Sequence, residues 1–493
     1  MLSSIVQAFG TVLAPDILLV MLLGSVVGIV FGAIPGLTYS MGIILLLPLT
    51  FTLSALAAIS MLLGVYIGGM TGGAVASILL GIPGTPSAAA TVIDGHPLAK
   101  QGMADKALGT ALFASIFGGM LSVITLMLTG PLIARFALNF GPAQIFALVL
   151  FGFTSICGIA AGNILKGLIS GCIGLLVMTI GIDPVMGMPR FIFGHSRLIA
   201  GVNLLPFMIG MFAIPQIIES FTAKETGTIQ KIKEKVKTRF PSFMELRRMS
   251  GVLVRSALIG IGIGAIPGTG GPVAAFLGYD QARRSKKTGG PALEGVAGPE
   301  AATNGVTGGA LIPMLTLGIP GDSATAILLG ALMIHGLRPG PLLFTQQGQF
   351  IAGLYAALIV IHLFVLLIQG LGIRLFVKVL NFKKSYLFTT ILALCAIGAF
   401  SANNNPFDLY VMFFAGLLGF FLNKFNFPTA PAVLALVLGP IMEDNFRRSL
   451  TLSRGSAGIF FSSPINIVLY LLTVLVLIGQ IRRIIREAKS RPS

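Results

Sequence analysis

Tryptophan is absent from the 493-residue chain and tyrosine is present only seven times, so no indole belt marks where helices would meet a membrane surface. Charged residues make up only 10%, and 16 acidic side chains are too few for the surface of an ordinary water-soluble domain. Cys157, Cys172 and Cys395 are the only cysteines; they lie in apolar surroundings with no metal-ligand spacing, and read as packing residues in helices with no disulfide framework. The four histidines form no His-Glu-x-x-His or His-x-x-Glu-His array, so no transition-metal site is expected. A Gly-x-x-x-x-Gly-Lys-Ser/Thr loop is also missing, which excludes ATP binding through that device. No enzyme constellation and no cofactor site remain, and energy for any work must come from an ion gradient or from elsewhere.

What is present is apolar. Hydrophobic residues reach 55% and mean hydropathy is +0.95. Runs long enough to cross a bilayer recur, as at Ile17–Ile34, Ala107–Leu128, Phe146–Ile182, Phe350–Leu371 and Ile459–Ile481, and the length rule gives about ten to twelve crossings. The runs are continuous rather than alternating, which excludes a membrane β-barrel. An all-α polytopic membrane protein is expected. The first run has neither a basic n-region nor an Ala-x-Ala site before it, so it reads as a retained helix, with the mature chain starting near Met1.

The net charge of +17 is unevenly placed. Lys224, Lys231, Lys233, Lys235, Lys237, Arg239, Arg247 and Arg248 crowd the one long polar loop against Glu225, Glu234 and Glu245. By the positive-inside rule loop 224–248 is cytoplasmic, together with Arg283, Arg284, Lys286, Lys287 and the tail residues Arg482, Arg483, Arg486 and Lys489. This topology accounts for the basic excess without nucleic acid.

Ile-Pro-Gly occurs four times, in two matched pairs. Gly32-Ala-Ile-Pro-Gly36 and Leu80-Gly-Ile-Pro-Gly84 form the first, Gly264-Ala-Ile-Pro-Gly268 and Leu317-Gly-Ile-Pro-Gly321 the second. Proline removes a backbone donor and glycine loosens the helix, so each copy should break a membrane helix. Gly28-x-x-x-Gly32 matches Gly260-x-x-x-Gly264, and Thr71-Gly-Gly-Ala74 matches Thr307-Gly-Gly-Ala310, which reads as a duplicated unit. The boundaries that follow are repeat one at 1–220, a basic loop at 221–250, repeat two at 251–445, and a last helix with its tail at 446–493. Inverted orientation is the favoured arrangement, with parallel the alternative.

Each second break runs into small or acidic residues: Thr85-Pro86-Ser87 in one half, Asp322-Ser323-Ala-Thr325 in the other. Thr before Pro is a helix-start pattern, and Asp322 or Ser323 serves similarly. Two helix N-termini would then open within the membrane, with unpaired N–H groups that attract carboxylates. Gly72, Gly73, Gly84, Gly308, Gly309 and Gly321 would let the backbone approach a ligand and leave carbonyls free for a cation. Asp322, a carboxylate at helix depth, reads equally as an N-cap and as a cation ligand. Glu300, Asn304 and Thr307 are further polar candidates before the second hairpin, and Asp280 reads as a loop residue beside Arg283. A channel is the rival reading, because broken helices also build selectivity filters.

At these motifs, and at Gly278-Tyr-Asp-Gln281 and His335-Gly-Leu-Arg-Pro-Gly340, the chain closely resembles the large membrane subunit of the tripartite tricarboxylate transporters, the TctA family. The resemblance covers nearly the whole chain. It implies uptake of a citrate-like di- or tricarboxylate across the bacterial inner membrane, with a periplasmic binding protein and a small membrane subunit as partners. It further implies coupling to a cation gradient, sodium first and protons as the alternative, and an elevator-like motion of the broken helices. Carried onto this chain, Gly84, Thr85, Pro86, Ser87, Gly321, Ser323 and Thr325 would form the substrate site, with the first breaks at Gly36 and Gly268 beside them. Asp322, Thr71, Gly72, Asn304, Thr307 and Gly308 would hold the cation.

Overall fold

A computed structural model of the chain describes residues 2–160, 164–183, 186–222, 237–284, 292–379, 384–401 and 403–489. Lys224, Glu225, Lys231, Lys233, Glu234, Lys235, Lys286 and Lys287 of the basic segments lie outside these, as do the side chains of Arg483, Arg486 and Lys489. In chain order the helices are α1 (Leu2–Val12), α2 (Pro15–Ala33), α3 (Tyr39–Leu46), α4 (Ala55–Leu80), α5 (Ala89–Leu98), α6 (Ala104–Ala137), α7 (Pro142–Ala160), α8 (Ile164–Met178), α9 (Leu204–Thr222) and α10 (Phe243–Ala265). They continue as α11 (Gly270–Arg284), α12 (Glu294–Leu317), α13 (Ser323–Ile334), α14 (Pro341–Gln346), α15 (Gly348–Val379), α16 (Lys384–Ser401), α17 (Phe407–Lys424), α18 (Ala430–Leu452) and α19 (Pro464–Lys489). The protein is an all-α polytopic membrane protein. Among the described residues, seven helical runs are long and apolar enough to span, and six shorter apolar helices accompany them.

Residues 1–134 and 220–391 form one compact unit, and residues 135–219 and 392–493 a second. The first is built on two helix pairs whose backbones nearly touch. A Cβ added to Gly24, Gly28 or Gly32 of α2 would strike the carbonyl of Met61, Val65 or Gly69 on α4, so only glycine permits this approach. The same contacts recur in the second pair: Gly260 of α10 meets the Ala302 carbonyl of α12, and Gly264 meets that of Val306. Gly72 against the Ile29 carbonyl likewise becomes Gly309 against that of Ile261.

This packing pairs Gly72 with Gly309 and Gly73 with Ala310, one residue away from the match read between Thr71-Gly-Gly-Ala74 and Thr307-Gly-Gly-Ala310. A run of small residues looks alike under a one-residue slip, whereas backbone contact does not. Thr71 and Thr307 therefore occupy different environments. Burial follows the same plan: 94% of the apolar stretch of α4 is buried, against 17% for the C-terminal α19. The more polar α12 is buried from Gly295 to Thr316, sheathed chiefly by α10 and α11.

Asp280 lies inside α11 and pairs with Arg284 at 2.7 Å, in place of the expected loop beside Arg283; the i, i+4 spacing of the helix selects that partner. The described end of the basic segment is tied to α6, where Arg239 N donates to Asp105 O (3.0 Å), Lys237 N to Asp105 Oδ1 (2.9 Å), and Lys106 pairs with Glu245. α10 begins at Phe243 with a capping box from Ser242 and Glu245, so helix starts within the segment read as loop.

The second unit packs α18 against α7 and α8. Its only strands among the described residues are β1 (Gly181–Ile182) and β2 (Pro189–Arg190), an antiparallel pair. Arg190 bonds Glu443 at 2.7 Å, and Arg447 pairs with both Glu443 (2.6 Å) and Asp183 (3.1 Å). Arg448–Asp444 at 2.8 Å completes the charge pattern near the end of α18. Cys157 and Cys395 are buried as packing residues, but Cys172 is exposed on its helix.

Candidate functional site

The four breaks have two backbone forms. After α2 and α10 the chain turns extended at Ile34 (φ −83°, ψ 115°) and Ile266 (φ −88°, ψ 118°), then left-handed at Gly36 (φ +89°) and Gly268 (φ +83°). After α4 and α12 it turns left-handed at once, at Gly81 (φ +69°) and Gly318 (φ +74°), the conformation that ends helices on glycine. Proline follows in every case and prevents the helix from resuming.

The breaks of the first unit meet. Gly84 is seated where a Cβ would strike the carbonyls of Gly32 and Gly73; Gly321 is seated the same way on the Gly264 carbonyl and Ala310. Gly268 N donates to Gly321 O at 2.8 Å. Four helix starts are thereby drawn together: α3 after Thr38, the 3₁₀ turn Pro86–Ala88 that leads into α5, α11 at Gly270 and α13 after Asp322. Ser40 Oγ lies 3.3 Å from Ser323 Oγ, joining the starts of α3 and α13. A Cβ on Gly271 would strike Ser87 Oγ, and one on Gly270 would stand 3.7 Å from Asp322 Cβ, bringing the start of α11 between the other two. Helix starts carry partial positive charge; the starts of α3 and α13 are already capped, Met41 N donating to Thr38 Oγ1 and Thr325 N to Asp322 Oδ1.

The side chains divide into engaged and unengaged. Asp322 caps α13: Oδ1 accepts from Thr325 N (2.8 Å) and from Thr325 Oγ1 (2.8 Å), while Tyr66 Oη donates to Oδ2 (2.7 Å). Thr325 is thus spent in the cap, its Oγ1 also accepting from Asp322 N at 2.9 Å. Thr85 takes the backbone of a helix start, with Ala88 N donating to Thr85 O at 3.0 Å, but its side chain caps nothing. Thr85 Oγ1 is buried without a hydrogen-bond partner, and Ser87 Oγ, also buried, has only the Tyr39 hydroxyl beside it. The Tyr39 ring is tilted at 56° to that of Tyr66, with centroids 5.6 Å apart. Gly36, Pro86 and Ser323 are exposed, so the cluster has an open side and a buried floor.

The residues read as a cation set fall into two places. Asp322 belongs to the cluster above. Thr71 Oγ1 donates to Asn304 Oδ1 (3.0 Å), tying α4 to α12, and Asn304 Nδ2 donates to Glu300 O (3.1 Å). Thr307 Oγ1 turns back onto Asn304 O (2.6 Å), and Gly308 N donates to Ser122 Oγ at 3.1 Å. Gly72 is a helix-contact glycine against Ile29. No hydrogen bond joins Asp322 to this second group among the described residues.

Tyr39, Ser40, Tyr66, Gly270 and Gly271 escaped the sequence reading. A signal for four of them was available, because Thr38-Tyr39-Ser40 and Thr269-Gly270-Gly271 directly follow the first break of each pair, where a new helix has to start. Nothing local marked Tyr66, in the middle of an apolar helix.

Fold and cluster define a polytopic helical membrane protein with paired helix breaks that gather helix starts at depth. The chain belongs to the tripartite tricarboxylate transporter TctA family, whose model it matches over residues 18–434. It is similar to two Agrobacterium vitis proteins. One, named "Uncharacterized 52.8 kDa protein in TAR-I ttuC' 3'region", is 35% identical over 94% of this chain and 93% of its own length. The other, "Uncharacterized protein in TAR-II ttuC' 3'region", is 38% identical over 41% of this chain and 86% of its own length. No solved structure matches.

Proposed function

We propose that the chain is the transport-path subunit for secondary active uptake of a citrate-like di- or tricarboxylate across the bacterial inner membrane. One observation carries this reading: helix starts from two pairs of breaks gather around a buried hydroxyl, Thr85, that no protein group satisfies, with the Ser87 hydroxyl next to it held only by Tyr39. A buried hydroxyl is normally paired, and a carboxylate accepting from Thr85 and Ser87 at the partial positive charge of the helix starts supplies the partner that Thr85 lacks. Gly84, Pro86, Gly321, Ser323, Gly36 and Gly268 frame this site in the proposal. The breaks belong to a duplicated, inverted unit that moves as an elevator element, with segment 224–248 and the C-terminus in the cytoplasm. A periplasmic binding protein delivers the substrate, and a small membrane subunit completes the system.

The coupling ion is sodium in the first reading, with Asp322 as its ligand; Thr71, Gly72, Asn304, Thr307 and Gly308, in a separate group, hold helices together. A second reading, coupling through protons, is favoured by Glu300, a buried carboxylate bonded by the hydroxyls of Thr91 and Ser115.

The test is uptake of labelled citrate and labelled succinate into proteoliposomes that hold this chain and the small subunit, with binding protein outside. Saturable, gradient-dependent and binding-protein-dependent uptake is expected; non-saturating flux without a gradient would replace the transporter reading by a channel. Thr85→Val removes a hydroxyl that bonds nothing in the protein, so thermal stability should change by less than about 0.5 kcal/mol, while Ser87→Ala also loses the Tyr39 contact and should cost up to about 1 kcal/mol. The same variants should raise KM for the carboxylate by about tenfold each, the worth of one lost hydrogen bond to a charged group. Unchanged KM in both would remove these hydroxyls from the site.

A further inference from the structure

Glu300 lies on the seventh position of α12, 1% exposed, past the first turn where the helix start would favour a negative charge. Its two oxygens have one partner each: Thr91 Oγ1 at 2.6 Å from Oε1 and Ser115 Oγ at 2.9 Å from Oε2. No basic side chain pairs with it among the described residues. Among the ionisable groups on the surrounding helices, His362 of α15 packs against Gly119, one turn along α6 from Ser115, with Nδ1 2.7 Å from Leu358 O and Nε2 without a partner; the others are engaged or exposed. Tyr66 bonds Asp322, Asp94 takes Tyr279 Oη (3.3 Å) and Ala292 N (3.2 Å), and His96 Nδ1 lies 3.1 Å from Ile78 O. Asp280 pairs with Arg284, Lys106 with Glu245, and Arg255 is exposed.

The contrast with Asp322 is decisive. Asp322 has a backbone amide, a helix start and a phenol to balance it, whereas two neutral hydroxyls cannot balance a bare carboxylate, whose transfer out of water costs tens of kcal/mol in the Born limit. A cation has to accompany Glu300 whenever it is ionised. The oxygens around it, two from the carboxylate and two from hydroxyls, form a hard set suited to a proton or a sodium ion and unsuited to softer metals.

We propose that Glu300, Thr91 and Ser115 form a monovalent-cation site, for a proton or a sodium ion, that couples ion binding to the helix break at Gly81–Ser87. The link is covalent and short. Thr91 stands one turn beyond Ser87, whose carbonyl receives Thr303 Oγ1 at 3.4 Å, so α12 grips the start of α5 at two points. Filling or emptying the site changes the hold of Glu300 on Thr91, and with it the seat of Thr85 and Ser87. The inference rests on the carboxylate-transport reading and adds a site behind the substrate cluster.

The test compares wild type and Glu300→Gln in proteoliposomes carrying the complete three-part system, with labelled citrate and succinate and either a sodium or a pH gradient. Glutamine keeps the shape and has no charge to balance. It is expected to lose gradient-driven accumulation by at least about tenfold while still exchanging labelled for unlabelled substrate. The gradient that drives the wild type identifies the ion. Accumulation by Glu300→Gln that follows either gradient as in wild type overturns the proposal and leaves the transport reading intact. Should exchange be lost too, Thr91→Val and Ser115→Ala serve instead; each should shift the half-saturating ion concentration by about threefold or more with exchange retained, and no shift in either overturns the proposal. A wild type that accumulates neither carboxylate under either gradient overturns the transport reading and the site with it.

Discussion

Asp322→Ala should abolish most carboxylate uptake and destabilise the protein by about 2–4 kcal/mol, the sum of a lost N-cap and a buried phenol left unpaired. The residue performs two separable tasks. Its Oδ1 organises the first turn of α13 through Thr325, and its Oδ2 holds Tyr66 of α4, 256 residues away in sequence, at 2.7 Å. Asp322→Asn separates cap from charge. Asparagine caps as well as aspartate, so stability should fall by less than about 1 kcal/mol in this variant. If the charge binds a cation, Asp322→Asn should still lose cation-dependent uptake by about tenfold or more. Normal uptake with normal cation dependence in Asp322→Asn would leave Asp322 a structural cap alone. Because the chain has no tryptophan, unfolding is best followed by circular dichroism or by reaction of a fluorogenic dye with buried Cys157 and Cys395, above the background of exposed Cys172.

How much of this was legible in the sequence depends on whether the signal was local. Pro-Gly pairs break helices wherever they fall, so all four breaks were readable, and Asp322 before Ser-Ala-Thr was readable as a cap. Membrane class followed from composition alone. Partners 200 or more residues apart left no mark: Tyr66 on Asp322, Thr71 on Asn304 and Thr91 on Glu300 all join distant segments. The same limit misled the register of the glycine segments, where Thr71 and Thr307 looked equivalent because their neighbours are small. Glu300 was visible as a polar residue in an apolar stretch, but only the fold shows that, among the described residues, no basic side chain pairs with it.

Gly264→Ala and Gly262→Ala, two residues apart on α10, should have opposite effects. A Cβ at Gly264 would lie 2.8 Å from Val306 O and 2.9 Å from Ala310 N, backbone atoms that cannot move aside without displacing α12. Overpacking of this kind costs about 1–3 kcal/mol, and the upper end applies because both obstacles are main chain. A Cβ at Gly262 meets nothing within 4 Å, so alanine there gains up to about 1 kcal/mol of helix propensity. Function should follow stability at Gly264, because its carbonyl seats Gly321, and Gly321 O receives the Gly268 amide; pushing α10 from α12 loosens both breaks together. Thermal transitions of the purified variants, with citrate uptake beside them, measure both effects, and equal transitions would mean that close approach of α10 and α12 does not hold the unit. Gly32→Ala extends the test to the first pair, where the added methyl strikes Gly69 O in place of Val306 O. If the two pairs are copies of one ancestral unit, Gly32→Ala and Gly264→Ala should cost the same within about 1 kcal/mol, and their effects should add, since each acts within its own helix pair.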